Sequence, residues 1–139
     1  MNIDSITNGV VIDHITAGNA MRLYHLLGID SFDCSVAIIK NASSKKLGKK
    51  DIIKIDGEII PDIDIIGYVD PGATVNIIKD GKLISKRTID MPEMLTNVIK
   101  CKNPRCITSV EQELDHVFKL TDRAKKVYRC LYCETKADL

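Results

Sequence analysis

The sequence predicts an α+β protein: a ferredoxin-like split βαβ sandwich followed by a small all-β unit. Three observations carry this. The first ninety residues alternate apolar runs of strand and helix character in the order β-α-β-β-α-β, closed by a hairpin strand. A Pro and a change of composition at "MPEML", 91–95, mark a boundary. The remaining stretch is too short to bury an adequate core, yet it carries four of the five cysteines in two close pairs. We therefore divide the chain into 1–92 and 93–139.

The elements follow in order. Residues 3–15, "IDSITNGVVIDHI", are rich in β-branched residues and read as strand, with a bulge or turn near Asn8-Gly9. In 17–29, Ala20, Leu23, Leu26 and Leu27 recur at helical spacing, with Asn19 as cap and Gly28 as stop. "CSVAIIK", 34–40, is a strand, and Cys34 in it reads as core packing. "NASSKKLGKK", 41–50, reads as a polar, lysine-rich, solvated loop. "DIIKIDG", 51–57, alternates as a strand, with Ile53 and Ile55 on one face and Ile52 and Lys54 on the other. "IPDIDIIGYV", 60–69, starts a helix at Pro61, with Ile65, Ile66 and Val69 as its apolar side. "DPG", 70–72, turns the chain. In 73–89, Asp80-Gly81 between two apolar runs is the best hairpin signal of all.

Composition narrows the function classes. Of 139 residues, 45% are hydrophobic and 28% charged, which suits a globular chain. Aromatics are 4% with no Trp, so Ile, Val and Leu must build the core. The net charge of +1 gives no global case for nucleic acid or anionic membranes. No basic n-region and apolar h-region open the chain, and no apolar run approaches the roughly 20 residues of a membrane span. A cytoplasmic protein is expected, with reduced thiols rather than disulfides.

The cysteines are then metal ligands. Cys101 and Cys106 form a Cys-x4-Cys pair, and Cys130 and Cys133 a Cys-x2-Cys pair. Each pair can place two thiolates on one ion from a tight turn, and two such knuckles complete a tetrahedral zinc site. Four protein ligands leave no open position, so the ion is structural and a metalloenzyme is excluded. Lys100, Lys102, Arg105 and Arg129 flank the site and offset its negative charge. Buried thiols without metal and a redox CxxC at 130–133 are the competing readings.

The first domain offers Asp13 and His14 at a strand end, Lys54 in mid-strand, Asn76 in the apolar run "TVNII", and Lys86 after the hairpin. Each is unremarkable alone. Together they supply a carboxylate, an imidazole, an amide and two ammonium groups on one sheet, enough to hold a ribose, a base edge and a triphosphate. With no P-loop and no GxGxxG, side chains would have to hold any nucleotide. Nothing has the spacing of an activated nucleophile with its base.

Five stretches together resemble the regulatory chain of aspartate carbamoyltransferase: "GVVIDHITAG" (9–18), "LGKKDIIKIDG" (47–57), "PGATVNIIKDGKLISK" (71–86), "NVIKCKNPRCIT" (97–108) and "YRCLYC" (128–133). The resemblance implies a non-catalytic chain of pyrimidine biosynthesis. It implies an N-terminal allosteric domain that binds CTP, UTP and ATP and pairs with its twin, and a C-terminal zinc domain that holds the catalytic chain. The implied assembly has two catalytic trimers and three regulatory dimers. By motif, Asp13 and Lys54 match ribose and base contacts, and His14 and Lys86 match triphosphate contacts. Asn76, Ile78 and Leu83 match the pocket lining, and Ile3, Asp4 and Ile6 match a stretch whose backbone reads the base. Cys101, Cys106, Cys130 and Cys133 match the zinc ligands. A pocket position that is often Tyr is Gly81 here, so a wall for the base is missing or differently supplied. Asn103, Pro104, Arg105 and residues 111–115 are placed to meet the catalytic chain. The alternative is a zinc-ribbon nucleic-acid-binding protein, which calls for a basic, aromatic-studded face; Glu111, Glu113 and Asp115 dilute that charge.

Overall fold

The structure, a computed structural model, describes residues 6–137; Ile3 and Asp4 lie outside the described residues. The chain divides into two compact units, Met1–Asp90 and Met91–Leu139.

In the first unit the elements run β1 (Gly9–Thr16), α1 (Ala20–Leu26), β2 (Ser35–Ser44), β3 (Gly48–Asp56), α2 (Ile63–Val69), β4 (Thr74–Lys79) and β5 (Lys82–Thr88). A one-turn 3-10 segment, Ile29–Ser31, follows α1. The strands form one antiparallel sheet in the order β2-β3-β1-β4-β5, the split βαβ arrangement with an added edge strand. Alternation decides its faces. Val10, Ile12, Ile53, Ile55 and Val75 are buried and pack with Ala20 and Leu23 of α1 and Ile66 of α2. Residues of the other parity, Val11, Asp13, Lys54 and Asn76, stay half-buried on the face that this core does not occupy.

Several sequence expectations change in detail. The loop expected at 41–50 is largely strand: β2 runs on to Ser44 and β3 begins at Gly48. Local polarity suggested a loop, but ladder pairing continues past a bulge, from Ala42↔Lys50 to Ser44↔Gly48. The bulge in β1 is not at Asn8-Gly9 but at Asp13-His14, where the register skips from Ile12 to Ile15 and His14 takes φ 56°. Gly9 instead opens the strand, because a Cβ there would sit 2.1 Å from the Ile55 carbonyl oxygen and 2.8 Å from Ile6 Cγ2. Helix α2 starts at Ile63 behind an Asp62 cap, whose side chain accepts from the Asp64 N–H at 3.0 Å. It buries Ile66, Gly67 and Tyr68, and Ile65 is only half-buried. Asn19 caps α1 by position without a side-chain bond. Its amide donates to Asp70 instead. The hairpin is as expected: Asp80 and Gly81 both take positive φ, 52° and 75°, the requirement of the tightest β-turn.

The second unit has β6 (Met94–Thr96), a one-turn helix α3 (Ile107–Val110), β7 (Val117–Asp122) and β8 (Val127–Cys130). The strands form a three-stranded antiparallel sheet in that order. Its core is small: Leu95, Phe118, Tyr128, Cys101, Cys106 and Cys130, with Met91 and Val127 at its margin. Among the described residues no helix is long and apolar enough to cross a membrane.

Candidate functional site

Two clusters of chemistry-bearing side chains emerge, one in each unit. In the second unit the four cysteines converge. Cys101 and Cys133 Sγ atoms lie 3.5 Å apart, and those of Cys106 and Cys130 3.7 Å apart. All four sulfurs fall within 4.8 Å of one another. Tetrahedral zinc with bonds of about 2.3 Å sets its sulfurs about 3.8 Å apart, so the donor set fits one such ion. The first knuckle is shaped by Asn103, whose side-chain oxygen accepts from Arg105 N–H at 3.0 Å and whose carbonyl accepts from Cys106 N–H at 3.0 Å. Ser109 Oγ donates to the same carbonyl at 2.7 Å.

The four thiols are set unequally: burial raises Cys101 and Cys130, while hydroxyl contacts lower Cys106 and Cys133. Burial pushes the Cys101 thiol up to about 12. The Thr135 hydroxyl, 3.1 Å from Cys133 Sγ, brings that thiol down to about 6 against the effect of burial. Thr108 stands in the same relation to Cys106, at 3.0 Å, and lowers it. Sequence reasoning missed these two threonines. Each follows the second cysteine of its pair by two residues, a Cys-x-Thr repeat that was visible. His116 was missed as well: its Nδ1 accepts from the Cys101 N–H at 3.1 Å, holding the knuckle backbone from β7's start. Cys34 lies in the other unit, against Gly57, and is no part of the cluster.

In the first unit the register assembles the polar residues. Ala37 stands opposite Lys54, Lys54 opposite Val11, Val11 opposite Asn76, and Asn76 opposite Lys86, one row across all five strands. Residues directly opposite share a face. A neighbouring row sets Gly9 opposite Ile78 and Ile78 opposite Leu83. Ile6 is buried against Gly9 and is not part of the helix-side core. Leu83 is 57% exposed, and Lys86 is exposed beside it.

On the other side of the main row, Asp13 stands opposite Thr74. The bulge brings Asp13 and His14 into contact with each other and each to a partner of its own. His14 N–H donates to Asp13 Oδ1 at 2.6 Å, and His14 Nδ1 lies 3.2 Å from Thr74 Oγ1. Lys50 Nζ reaches Asp13 Oδ1 at 2.9 Å. Burial works against the Asp13 carboxylate, but Lys50 and the His14 N–H together outweigh it and hold its pKa below 3.8. Lys50 is a further omission of the sequence reading, which placed it in a solvated lysine loop. The signal was the continued alternation Lys50, Ile52, Lys54.

Asn76 Oδ1 is buried with no hydrogen-bond partner. A buried amide oxygen left unpaired costs about 1–3 kcal/mol, so it marks a place where a donor is wanted. Gly81, by contrast, presents only backbone: its N–H donates to the Thr7 carbonyl at 2.9 Å, and the space where a Cβ would project is open.

Comparisons with known proteins agree along the length of the chain. The family model described as aspartate carbamoyltransferase regulatory chain, allosteric domain, matches residues 1–90. The one described as aspartate carbamoyltransferase regulatory chain, metal binding domain, matches residues 93–138. The aspartate carbamoyltransferase regulatory chain of Clostridium tetani (strain Massachusetts / E88) is 47% identical over 135 residues, 96% of this chain and 94% of its own length. That of Clostridium botulinum (strain Hall) is 46% identical over 134 residues, 96% of this chain and 92% of its own. That of Bifidobacterium longum (strain NCC 2705) is 40% identical over 139 residues, the whole of both. Allosteric and metal-binding domains in sequence, a closed four-cysteine cluster that fits one structural zinc, and near-full-length likeness lead to one conclusion: the chain belongs to the family of aspartate carbamoyltransferase regulatory chains, the non-catalytic partners of the catalytic chain.

Proposed function

We propose that the chain senses nucleotides on the open face of its N-terminal sheet and passes the signal to the catalytic chain through its C-terminal unit. The register row Lys54–Val11–Asn76–Lys86 carries this reading. It sets two ammonium groups on either side of an unpaired amide oxygen, with Asp13 and His14 beside them. In this reading Lys86 and His14 meet the triphosphate, and Asp13 and Lys54 meet the ribose and base. Asp13, kept ionised by Lys50, is suited to accept from ribose hydroxyls. Asn76 Oδ1 is suited to accept from a base amino or ribose hydroxyl group. Ile6, Ile78 and Leu83 form the apolar seat. Gly81 contributes no side chain, so ATP and CTP are told apart by the other residues.

The same reading makes Cys101, Cys106, Cys130 and Cys133 the zinc ligands. It assigns residues 1–92 to the nucleotide domain and 93–139 to the docking domain. Regulatory chains pair as dimers, three of which join two catalytic trimers in the cytoplasm, with CTP and UTP opposed by ATP. The zinc-ribbon nucleic-acid reading has no support from the relatives, all named regulatory chains.

Calorimetric titration of the assembled enzyme tests the site. Charge-assisted bonds to a common triphosphate are worth about 1.5–3 kcal/mol, so Lys86→Ala weakens ATP and CTP together by roughly tenfold or more. Unchanged binding of both nucleotides would place the pocket elsewhere.

A further inference from the structure

The solvent face of the C-terminal sheet carries a row of cations that the fold itself does not explain. The register sets Met94 opposite Lys119, Lys119 opposite Arg129, and Arg129 opposite Lys136. The alternate residues Leu95, Phe118 and Cys130 form the buried face, and all three cations are exposed. Like charges directly opposite across antiparallel strands repel and destabilise the sheet. Among the described residues no carboxylate lies within ion-pair distance of Lys119, Arg129 or Lys136. The Arg129 guanidinium donates to the Glu134 backbone carbonyl at 3.1 Å, and Glu93 is engaged by Arg123 instead. The metal cluster accounts for Arg129 at most, which precedes the ligand Cys130, and leaves Lys119 and Lys136 unexplained. The row is edged by apolar surface: Met94 is 42% and Leu131 50% exposed. Lys119, Thr121, Arg129, Cys130, Leu131 and Glu134 line a shallow cleft of about 100 Å³ there, and Glu134, although it lines the cleft, makes no ion pair with the row.

We propose that Lys119, Arg129 and Lys136 form a docking face for an acidic patch on the catalytic chain. Carboxylates interleaved between the three cations would cancel their mutual repulsion at the moment of association, and the planar Arg129 fork is suited to bind one of them with two bonds. Met94 and Leu131 would be covered at the margin. The inference rests on the regulatory-chain reading above and adds to it the face and the chemistry of the contact.

The test is association of the full-length, metal-loaded chain with the catalytic trimer, at low and high salt. The parent is compared with a Lys119→Gln, Arg129→Gln double variant. A Lys125→Gln, Lys126→Gln variant loses the same charge off the row. The row variant is expected to associate about tenfold more weakly or worse at low salt and to lose much of the salt dependence. The control stays within about twofold of the parent. Metal content is unchanged, and the free row variant melts at the same temperature or higher, since a repulsion is gone. Association as tight as the parent's would overturn the proposal while leaving the regulatory reading intact. So would loss of metal from the row variant, which would make the row a charge balance for the cluster. So would a single-stranded oligonucleotide that binds the parent and not the row variant while trimer association is unaffected. A parent chain that fails to join the trimer at all would overturn both readings.

Discussion

In the first unit the packed core is hydrocarbon: Val10, Ile12, Ile15, Leu23, Ile53, Ile55, Ile66 and Val75 lock a five-stranded sheet to two helices, with Asp51 buried among backbone donors. In the second, the deepest residues are Leu95, Phe118 and Tyr128 together with Cys106 and Cys130, on a sheet of three short strands. The difference shows what each segment lacks. The first has enough apolar area to offset the loss of chain entropy. The second is under fifty residues, and a sulfur-bound ion takes the place of the missing core.

The sharpest way to break this comparison is to remove the metal. Structural zinc in small domains contributes about 10–16 kcal/mol, more than a unit of this size can do without. Chelation at neutral pH is therefore expected to abolish protection of β6, β7 and β8 in hydrogen exchange and to leave β1 to β5 protected. Uniform loss, or no loss, would mean that the two units are not stabilised differently. Cys34→Ser should leave metal content at the parent's value, because Cys34 lies in the hydrocarbon-held unit.

The converse experiment targets the first unit alone. Asp51 is fully buried, and its carboxylate accepts from Gly18 N–H at 3.0 Å, Ala20 N–H at 3.2 Å and Asn41 N–H at 2.9 Å. It ties the start of α1 and the β2 bulge to β3. Asp51→Ala leaves three backbone donors without this acceptor and is expected to cost about 3 kcal/mol or more, with metal content unchanged. Chemical denaturation followed on the N-terminal sheet measures it, and a loss under about 1 kcal/mol would show that other acceptors replace the carboxylate.

A smaller effect sharpens the second unit. Tyr128 Oη donates to the Pro92 carbonyl at 2.6 Å, fastening the segment before β6 to β8. Tyr128→Phe should cost about 1 kcal/mol and shift the unfolding of that unit only.

The smallest effect is a pH dependence in the first unit. Asp13 has its folded pKa held below 3.8, so its pairing stabilises the fold above that value and is lost as pH falls through the folded pKa. The stability gap between parent and Asp13→Asn should be about 1 kcal/mol or less near pH 6 and should close as acid protonates the carboxylate, below the ordinary carboxylate range. A gap that widened on acidification would contradict the Lys50 pairing.

The predictions also separate what was legible in the chain from what was not. The Asp80-Gly81 turn was legible because positive φ at two consecutive positions is a local demand that few residue pairs meet. The cysteine cluster was legible because a tetrahedral ion needs four donors, and two close pairs supply them whatever lies between. The inward parity of Ile53 and Ile55 followed from a period of two. These are determined within a few residues, or by valence, and the sequence by itself decided them. The bulges at Asp13-His14 and beyond Ile39 were decided only by tertiary structure, since they exist relative to partner strands. Both flank β3, where Lys50 pairs with Asp13 and Asp51 takes up the Asn41 N–H. Polar residues 41–50 read as a loop because composition reports average solvent preference. Strand pairing and the buried Asp51 carboxylate reversed that reading for Asn41 and Lys50, and only neighbours distant in sequence could supply them.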